Sequence, residues 1–179
     1  MDDKKTETTD YADRLSHAVA QRGEFQALVS FADTKAGAAV TFASALFTVL
    51  VANYKPALAL LSHQAWLGLI VLALGIAFFV AFLMVLYYSF LTTLPRLEKR
   101  EYKPSLDFFV DVFKMGEDAY IQAMSKTPMN ELLQHTLREI YMLAEVLVQK
   151  FGAQRHCFQW LRVALLLWAV TEIGILLAS

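Results

Sequence analysis

The sequence predicts an all-α integral membrane protein with three transmembrane helices and a cytoplasmic helical bundle. Its composition is the first reason, because 57% of the 179 residues are hydrophobic and only 18% are charged, whereas soluble domains are about half apolar and about a quarter charged. The second reason is that apolar residues gather in three long stretches that contain almost no charge. The third is that apolar and polar residues nowhere alternate as they do in strands. We therefore expect helices throughout the chain.

The three apolar stretches are each long enough to cross a bilayer, because about 20 helical residues at 1.5 Å each span a hydrocarbon core of ~30 Å. The expected transmembrane helices cover residues 36–54, 65–94 and 156–179, and a short extracytoplasmic loop, 55–64, joins the first two. A chain of 179 residues is too small to enclose three such helices in a soluble core. We therefore expect all three to lie in the bilayer.

The orientation follows from the basic residues, which concentrate in the cytoplasmic segments of membrane proteins. Five Lys and Arg residues precede the first span, nine lie in 95–155 and one lies in the 55–64 loop. The sequence thus predicts that the N-terminal arm (1–35) and the segment 95–155 are cytoplasmic and that the C-terminus is extracytoplasmic. The start of the chain is polar, so no cleavable signal peptide is expected.

The N-terminal arm has one apolar helical face, on which residues recur at spacings of three, four and seven. The face consists of Tyr11, Leu15, Ala18, Phe25, Val29 and Ala32. No proline precedes Pro56. We therefore expect the arm to continue without a break into the first span.

A further helix is expected soon after the second span. Ser105 is a candidate N-cap for a helix that starts at Leu106. Its predicted apolar face consists of Leu106, Phe109, Val110 and Phe113. Gly116 is expected to interrupt this helix.

The next helix is predicted to start at Thr127-Pro128, with Thr127 as the cap and Pro128 at the first helical position. An apolar stripe at spacings of three and four then leads towards the third span. The stripe consists of Leu133, Leu137, Ile140, Ala144, Leu147 and Phe151. Gly152 is a candidate hinge in this long helix.

Small and polar residues follow one line along the first span, at alternating spacings of four and three that repeat every seven residues. The line consists of Ser30, Thr34, Gly37, Thr41, Ser44 and Thr48. Small residues let helices approach closely, and hydroxyl groups can hydrogen-bond across the interface. Three interpretations stay open: packing against the chain's own spans, a seam between chains around a symmetry axis that lines a pore, and hydroxyls that face lipid.

A carboxyl group lies inside the third span, at Glu172. Such a group is costly in a bilayer, so it is normally paired or functional. Two interpretations stay open for it. One is a protonated, hydrogen-bonded glutamic acid that fixes helix packing, and the other is a group that acts in a pore or in gating.

Several kinds of chemistry lack the residues that they need in this sequence. The four histidines have no metal-ligand spacing, the single cysteine excludes a CxxC motif, and no glycine-rich phosphate-binding motif occurs. A net charge of −1 gives no general attraction to nucleic acid. We therefore expect a protein that is not an enzyme and that has no cofactor, no metal site and no nucleic-acid partner.

A short motif, FADTKAG at 31–37, opens the first span and contains Asp33 and Lys35. A long second span ends in a Leu-Pro pair, a helical segment follows, and Lys150 shortly precedes the last span. In this motif and in this order of segments, the chain resembles the transmembrane effectors of bacterial Pycsar anti-phage systems. The resemblance extends over most of the chain, roughly 11–177.

The resemblance implies a function. Effectors of this kind lie in the bacterial inner membrane and work with a pyrimidine nucleotide cyclase, which makes cyclic UMP or cyclic CMP on phage infection. The membrane then loses integrity, and the infected cell dies before phage is released. We therefore expect a homo-oligomer that such a nucleotide activates to disrupt the lipid bilayer. The rival interpretation is a constitutive oligomeric scaffold, or an accessory subunit of a larger membrane complex, with no nucleotide ligand.

A cyclic pyrimidine nucleotide needs a cation for its phosphate and an aromatic face for its base. The candidate cations for this role are Arg14, Arg22, Arg138, Lys150 and Arg155. The best pair is Arg138 with Tyr141, because residues three apart share a helix face. In the predicted bundle, Arg138 also lies furthest from the lipid phosphates.

Overall fold

The computed structural model describes residues 2–53, 55, 59, 65–94, 106 and 109–178. The regular structure in these residues is helical and includes no strand, as predicted. The helices are α1 (Asp2–Ala52), α2 (Ala65–Thr93), α3 (Phe109–Met115), α4 (Glu117–Lys126) and α5 (Met129–Ala178). Helices α1, α2 and α5 are each long and apolar enough to cross a membrane, which confirms the predicted three-span class.

Helix α1 joins the N-terminal arm and the first predicted span in one unbroken helix, as expected from the absence of proline. The predicted apolar face of the arm is the one that packs against the rest of the chain. Ala18 and Ala32 on this face are buried, and its other four residues are half-buried. The membrane boundary near residue 35 is not marked by any change in the helix and stays a prediction.

The chain divides into two compact units. Unit 1 consists of Met1–Ser30 and Pro95–Val148, and unit 2 consists of Phe31–Leu94 and Gln149–Ser179. Helices α1 and α5 each contribute residues to both units, whereas α2 belongs to unit 2 and the short helices α3 and α4 belong to unit 1.

The first helix after the second span starts later than predicted. Leu106 is buried in a bend and α3 begins only at Phe109, while the predicted cap Ser105 lies outside the described residues. Leu106 is therefore not on the predicted helical face, and Phe113, another residue of that face, is 88% exposed. Gly116 does interrupt the helix, as predicted. Its φ of +81° lies in the left-handed region that glycine adopts without steric cost.

The start of α5 also differs from the prediction. Thr127 donates its hydroxyl to the Ala123 carbonyl at 2.7 Å, so it closes the end of α4 and does not cap α5. The Pro128 carbonyl accepts a backbone bond from Glu131 at 3.0 Å. Pro128 therefore takes the cap position of α5 and precedes the first helical residue. The helix then continues through Gly152 without a break, so this glycine is not a hinge in the structure.

Unit 2 is a three-helix packing of α1, α2 and α5. Asp33 pairs with Lys150 and Asn53 pairs with Glu172, so α1 and α5 run in the same direction. Helix α2 runs opposite to them, since its Ser89 bonds the carbonyl near the start of the α1 span and its Phe82 stacks on a ring further along α1. The buried core consists of Ala39, Ala43, Leu46, Phe78, Ala81, Val85, Cys157 and Ala164.

Candidate functional site

Helix α1 packs against α2 and α5 through small apolar residues. Its buried positions in unit 2 are Ala32, Ala36, Ala39, Ala43 and Leu46, which repeat at spacings of four and three. Alanine allows the three backbones to approach closely, so van der Waals contact is extensive despite the small side chains. The face that holds the chain's own spans together is therefore an alanine face.

The predicted polar line of α1 lies on the other side of the helix. Each of its positions is offset by two residues from an alanine position, which is about 200° of rotation at 100° per residue. Thr34, Gly37, Thr41 and Thr48 are exposed and Ser44 is half-buried. A Cβ built on Gly37 would meet nothing within 4 Å. The line is thus accessible to groups outside the chain.

Two hydroxyl groups on this line are satisfied within α1. Thr41 donates to the Gly37 carbonyl at 3.1 Å and Thr48 donates to the Ser44 carbonyl at 2.9 Å. Such back-bonding spares a hydroxyl the cost of facing an apolar environment unpaired. The line therefore combines small size with local polarity, and Thr41 and Thr48 need no bond from a neighbour.

The other exposed surfaces of unit 2 have a different composition. Helices α2 and α5 expose large apolar side chains, among them Leu69, Ile76, Leu83, Leu166, Val170 and Leu176. Such side chains are typical of a lipid-facing surface. On α1, the exposed large residues Phe42 and Val49 flank the polar line and are not part of it.

The predicted motif residue Asp33 forms an ion pair with Lys150. Lys150 Nζ lies 2.5 Å from Asp33 Oδ1, and the side chains are 8% and 37% exposed, respectively. The motif's second residue, Lys35, is exposed and places its Nζ 4.2 Å from the centroid of the Phe31 ring. The motif and the lysine that precedes the last span are therefore joined directly in unit 2.

The predicted cations for a nucleotide do not form one cluster. Arg14 and Arg22 lie on α1 in unit 1, Arg138 lies on α5 in unit 1, and Lys150 and Arg155 lie on α5 in unit 2. Arg14 is exposed and pairs with the acidic residue one turn before it. Arg155 is exposed.

Arg138 and Tyr141 are both exposed on α5, on adjacent turns of one face. Arg22 is committed elsewhere, because its Nη1 lies 3.0 Å from Glu139 Oε2. Among these cations, Arg138 therefore combines high exposure with an exposed aromatic neighbour on the same helix.

Glu172 is partnered by a residue that the sequence did not single out. Asn53 Nδ2 donates to Glu172 Oε2 at 2.8 Å, from the end of α1 to α5. The second carboxyl oxygen of Glu172 and the indole nitrogen of Trp168, one turn earlier, are buried without a partner in the described part of the chain. The hydrogen bond to Asn53 agrees with the packing interpretation of Glu172, and its role in gating stays a prediction.

Two partner residues were missed by the sequence analysis: Glu139 and Asn53. A signal for Glu139 was present in the spacing of the charges. Arg22 and Asp33 are as far apart in the sequence as Glu139 and Lys150, and the first member of each pair is opposite in charge to the first member of the other, as is the second. Reading it requires knowing that the two helices are parallel neighbours. Nothing in the sequence pattern marks Asn53 as a partner.

A family model for the Pycsar effector protein domain matches residues 17–176 of the chain. The match includes α1 from residue 17 onwards, the whole of α2 to α4 and almost the whole of α5. Comparisons with curated proteins and with solved structures gave no match.

Proposed function

Since the chain belongs to the Pycsar effector family, we propose that it is a non-enzymatic membrane effector that a cyclic pyrimidine nucleotide, cyclic UMP or cyclic CMP, activates to disrupt the inner membrane of an infected bacterium. Membership of the family supports a role in Pycsar anti-phage defence. Three helices that are long and apolar enough to cross a bilayer fit a membrane protein. Nucleotide activation, membrane disruption and death of the infected cell are the proposed steps.

The observation that supports membrane disruption best is the exposed polar line on α1. Whereas α2 and α5 expose many large apolar side chains, the line from Thr34 to Thr48 contains small and hydroxyl-bearing residues alone. If this line faced lipid, it would place no large side chain in the bilayer. Its small residues instead suit close packing against a second copy of α1 around an axis. We propose a homo-oligomer in which this line is the seam between chains and, in the open state, the lining of the lesion.

The proposed ligand site is the exposed pair Arg138 and Tyr141 in unit 1. A guanidinium can bind the phosphate in a bidentate manner, and a tyrosine ring can stack on the base, which is worth about 1–3 kcal/mol. Arg22 and Arg14 are secondary candidates, because each already pairs with a carboxylate. The functional partner would be the cyclase that makes the nucleotide.

Activation requires that the nucleotide bind the open state more tightly than the closed state. Helices α1 and α5 give a covalent route for such a change, because each continues without a break from unit 1 into unit 2. A nucleotide that moves α5 at Arg138 thereby moves residues of the same helix that belong to unit 2.

Dye leakage from proteoliposomes tests this proposal. Purified full-length protein is reconstituted in vesicles loaded with a self-quenching dye, and cyclic UMP, cyclic CMP and cyclic AMP are added in turn. We expect leakage with a pyrimidine nucleotide and little with cyclic AMP. Identical leakage with and without any nucleotide would instead support the rival interpretation, a constitutive scaffold or accessory subunit.

A further inference from the structure

Lys150 and Gln154 place more hydrogen-bond donors in the interior of unit 2 than the described residues accept. The Lys150 side chain is 8% exposed, and Gln154, one turn later on α5, is 5% exposed. An ammonium has three N–H donors and an amide NH2 has two. Lys150 donates to Asp33, and Gln154 Nε2 has no acceptor among the residues that the structure describes. This face of α5 is therefore rich in donors and poor in acceptors.

An anion with several oxygens would suit this face better than one carboxylate does. A buried donor without an acceptor destabilises the fold, and the low local dielectric increases that cost. A multi-oxygen anion accepts several bonds at once and also neutralises the ammonium. Asp33 is not tied to the site as Lys150 is, because its side chain is 37% exposed and water can solvate it after it moves away.

We propose that Lys150 and Gln154 form a binding site for a phosphodiester group, and that Asp33 occupies this site until the ligand displaces it. A phosphodiester has one negative charge, as Asp33 has, so the exchange leaves Lys150 with one counter-charge. Its two non-bridging oxygens can accept from Lys150 and from Gln154 together. In this arrangement Asp33 is an internal competitor that keeps the site closed.

Two sources offer a phosphodiester, the cyclic nucleotide and the headgroup of a phospholipid. With the nucleotide as ligand, the inference rests on the proposed function, and Lys150 and Gln154 form a second nucleotide-contact region in addition to the one at Arg138. With the lipid as ligand, it is independent of the proposed function. The experiment therefore measures both.

The experiment uses full-length protein in a maltoside detergent, which contains no phosphate, after removal of bound lipid. Calorimetry measures cyclic UMP binding, and native mass spectrometry measures retention of phosphatidylglycerol. Asp33→Asn removes the competing charge at nearly constant size, so we expect at least about tenfold tighter binding of the phosphodiester than in the wild type. Lys150→Gln should abolish that binding, and Gln154→Leu should weaken it.

Asp118→Asn is the control, because it also neutralises one acid but lies exposed on α4, which contributes no residue to either proposed contact region. It should leave both affinities unchanged. Circular dichroism and native mass show which variants fold, and if Lys150→Gln does not fold, Asp33→Asn alone decides. Unchanged or weaker binding of both probes to Asp33→Asn overturns the site.

The two arms separate this inference from the proposed function. Cyclic UMP binding that is equal in the wild type, Asp33→Asn and Lys150→Gln, together with equal retention of phosphatidylglycerol, overturns the site and leaves the proposed nucleotide activation standing. Tighter phosphatidylglycerol binding to Asp33→Asn, together with no cyclic UMP binding to any variant, supports the site and contradicts the proposed function. Tighter cyclic UMP binding to Asp33→Asn supports both.

Discussion

Arg22 on α1 donates to Glu139 on α5 at 3.0 Å, and these two residues are 117 positions apart in the sequence. Asp33 and Lys150 are also 117 positions apart, but there the acid is on α1 and the base is on α5. The two pairs are about three helical turns apart on each helix. A shift of one helix by that distance would place Arg22 opposite Lys150, or Asp33 opposite Glu139. The charges therefore favour one parallel register of α1 and α5.

The Arg22–Glu139 pair should contribute measurably to stability, because the side chains are only 27% and 11% exposed. We expect Arg22→Ala to lower the free energy of unfolding by about 1–3 kcal/mol, since it leaves the Glu139 carboxylate half-buried without this partner. Arg14→Ala is the matched control on the same helix. Its pair with Asp10 is exposed on both sides, so its loss should stay within about 0.5 kcal/mol.

Reversible denaturation in mixed detergent micelles measures both changes. The double variant Arg22→Glu with Glu139→Arg should recover most of the lost stability, because it restores the pair with its charges exchanged. Equal losses of unfolding free energy for Arg22→Ala and Arg14→Ala would show that the Arg22–Glu139 pair contributes no more to stability than the exposed Arg14–Asp10 pair.

The alanine face of α1 should tolerate no larger residue. Ala36 is completely buried against the rest of unit 2, whereas Ala38, two residues later, is exposed. We expect Ala36→Leu to destabilise the protein by about 1–3 kcal/mol through overpacking, and Ala38→Leu to be nearly neutral. The same denaturation assay checks this, and a neutral Ala36→Leu would contradict the close packing of α1.

Larger side chains on the polar line of α1 should affect the assembly of chains and not the stability of the single chain. Thr41→Leu and Thr48→Leu should leave monomer stability almost unchanged, since both positions are exposed, but should disturb the oligomer and reduce killing. Phe42→Leu and Val49→Leu are the controls, because these exposed residues flank the line. Native mass and cell survival measure the effect. Equal tolerance in the two sets of variants would exclude the seam and favour contact with lipid.

The predicted orientation can be tested by labelling cysteines in intact cells. In a Cys157→Ala background, Ala59→Cys should react with a membrane-impermeant thiol reagent, because the loop that contains it is predicted to be extracytoplasmic. Tyr120→Cys should react only after the cells are permeabilised. The reverse pattern, with labelling at 120 and none at 59, would invert the predicted topology.

Arg138 should be required for nucleotide binding if unit 1 holds the base and the phosphate as proposed. We expect Arg138→Ala to abolish calorimetric binding of cyclic UMP while membrane insertion and oligomer size stay unchanged. Lys126→Ala, which removes an exposed cation from α4 in the same unit, should bind as the wild type does. Undiminished binding to Arg138→Ala would redirect the search to Arg14, Arg22 and the site at Lys150.

Local sequence patterns were sufficient to predict the class of protein and its main helices. Hydrophobic stretches of about 20 residues identify spans because the bilayer sets their length, and the helical periodicity of the arm identified its buried face, including Ala18 and Ala32. The absence of proline predicted the continuity of α1, and Gly116 marked a real interruption. These properties depend on backbone chemistry and on residues a few positions apart.

Only the tertiary structure decided which face of α1 holds the chain together and which charges are paired. The alanine and polar faces repeat with the same period, so periodicity alone could not rank them, and Phe113, predicted on an apolar face, is exposed. The pairing of Asp33 with Lys150 and of Asn53 with Glu172 joins residues more than a hundred positions apart. Such contacts arise from the direction and register in which helices pack, and these depend on the surfaces of all three helices together.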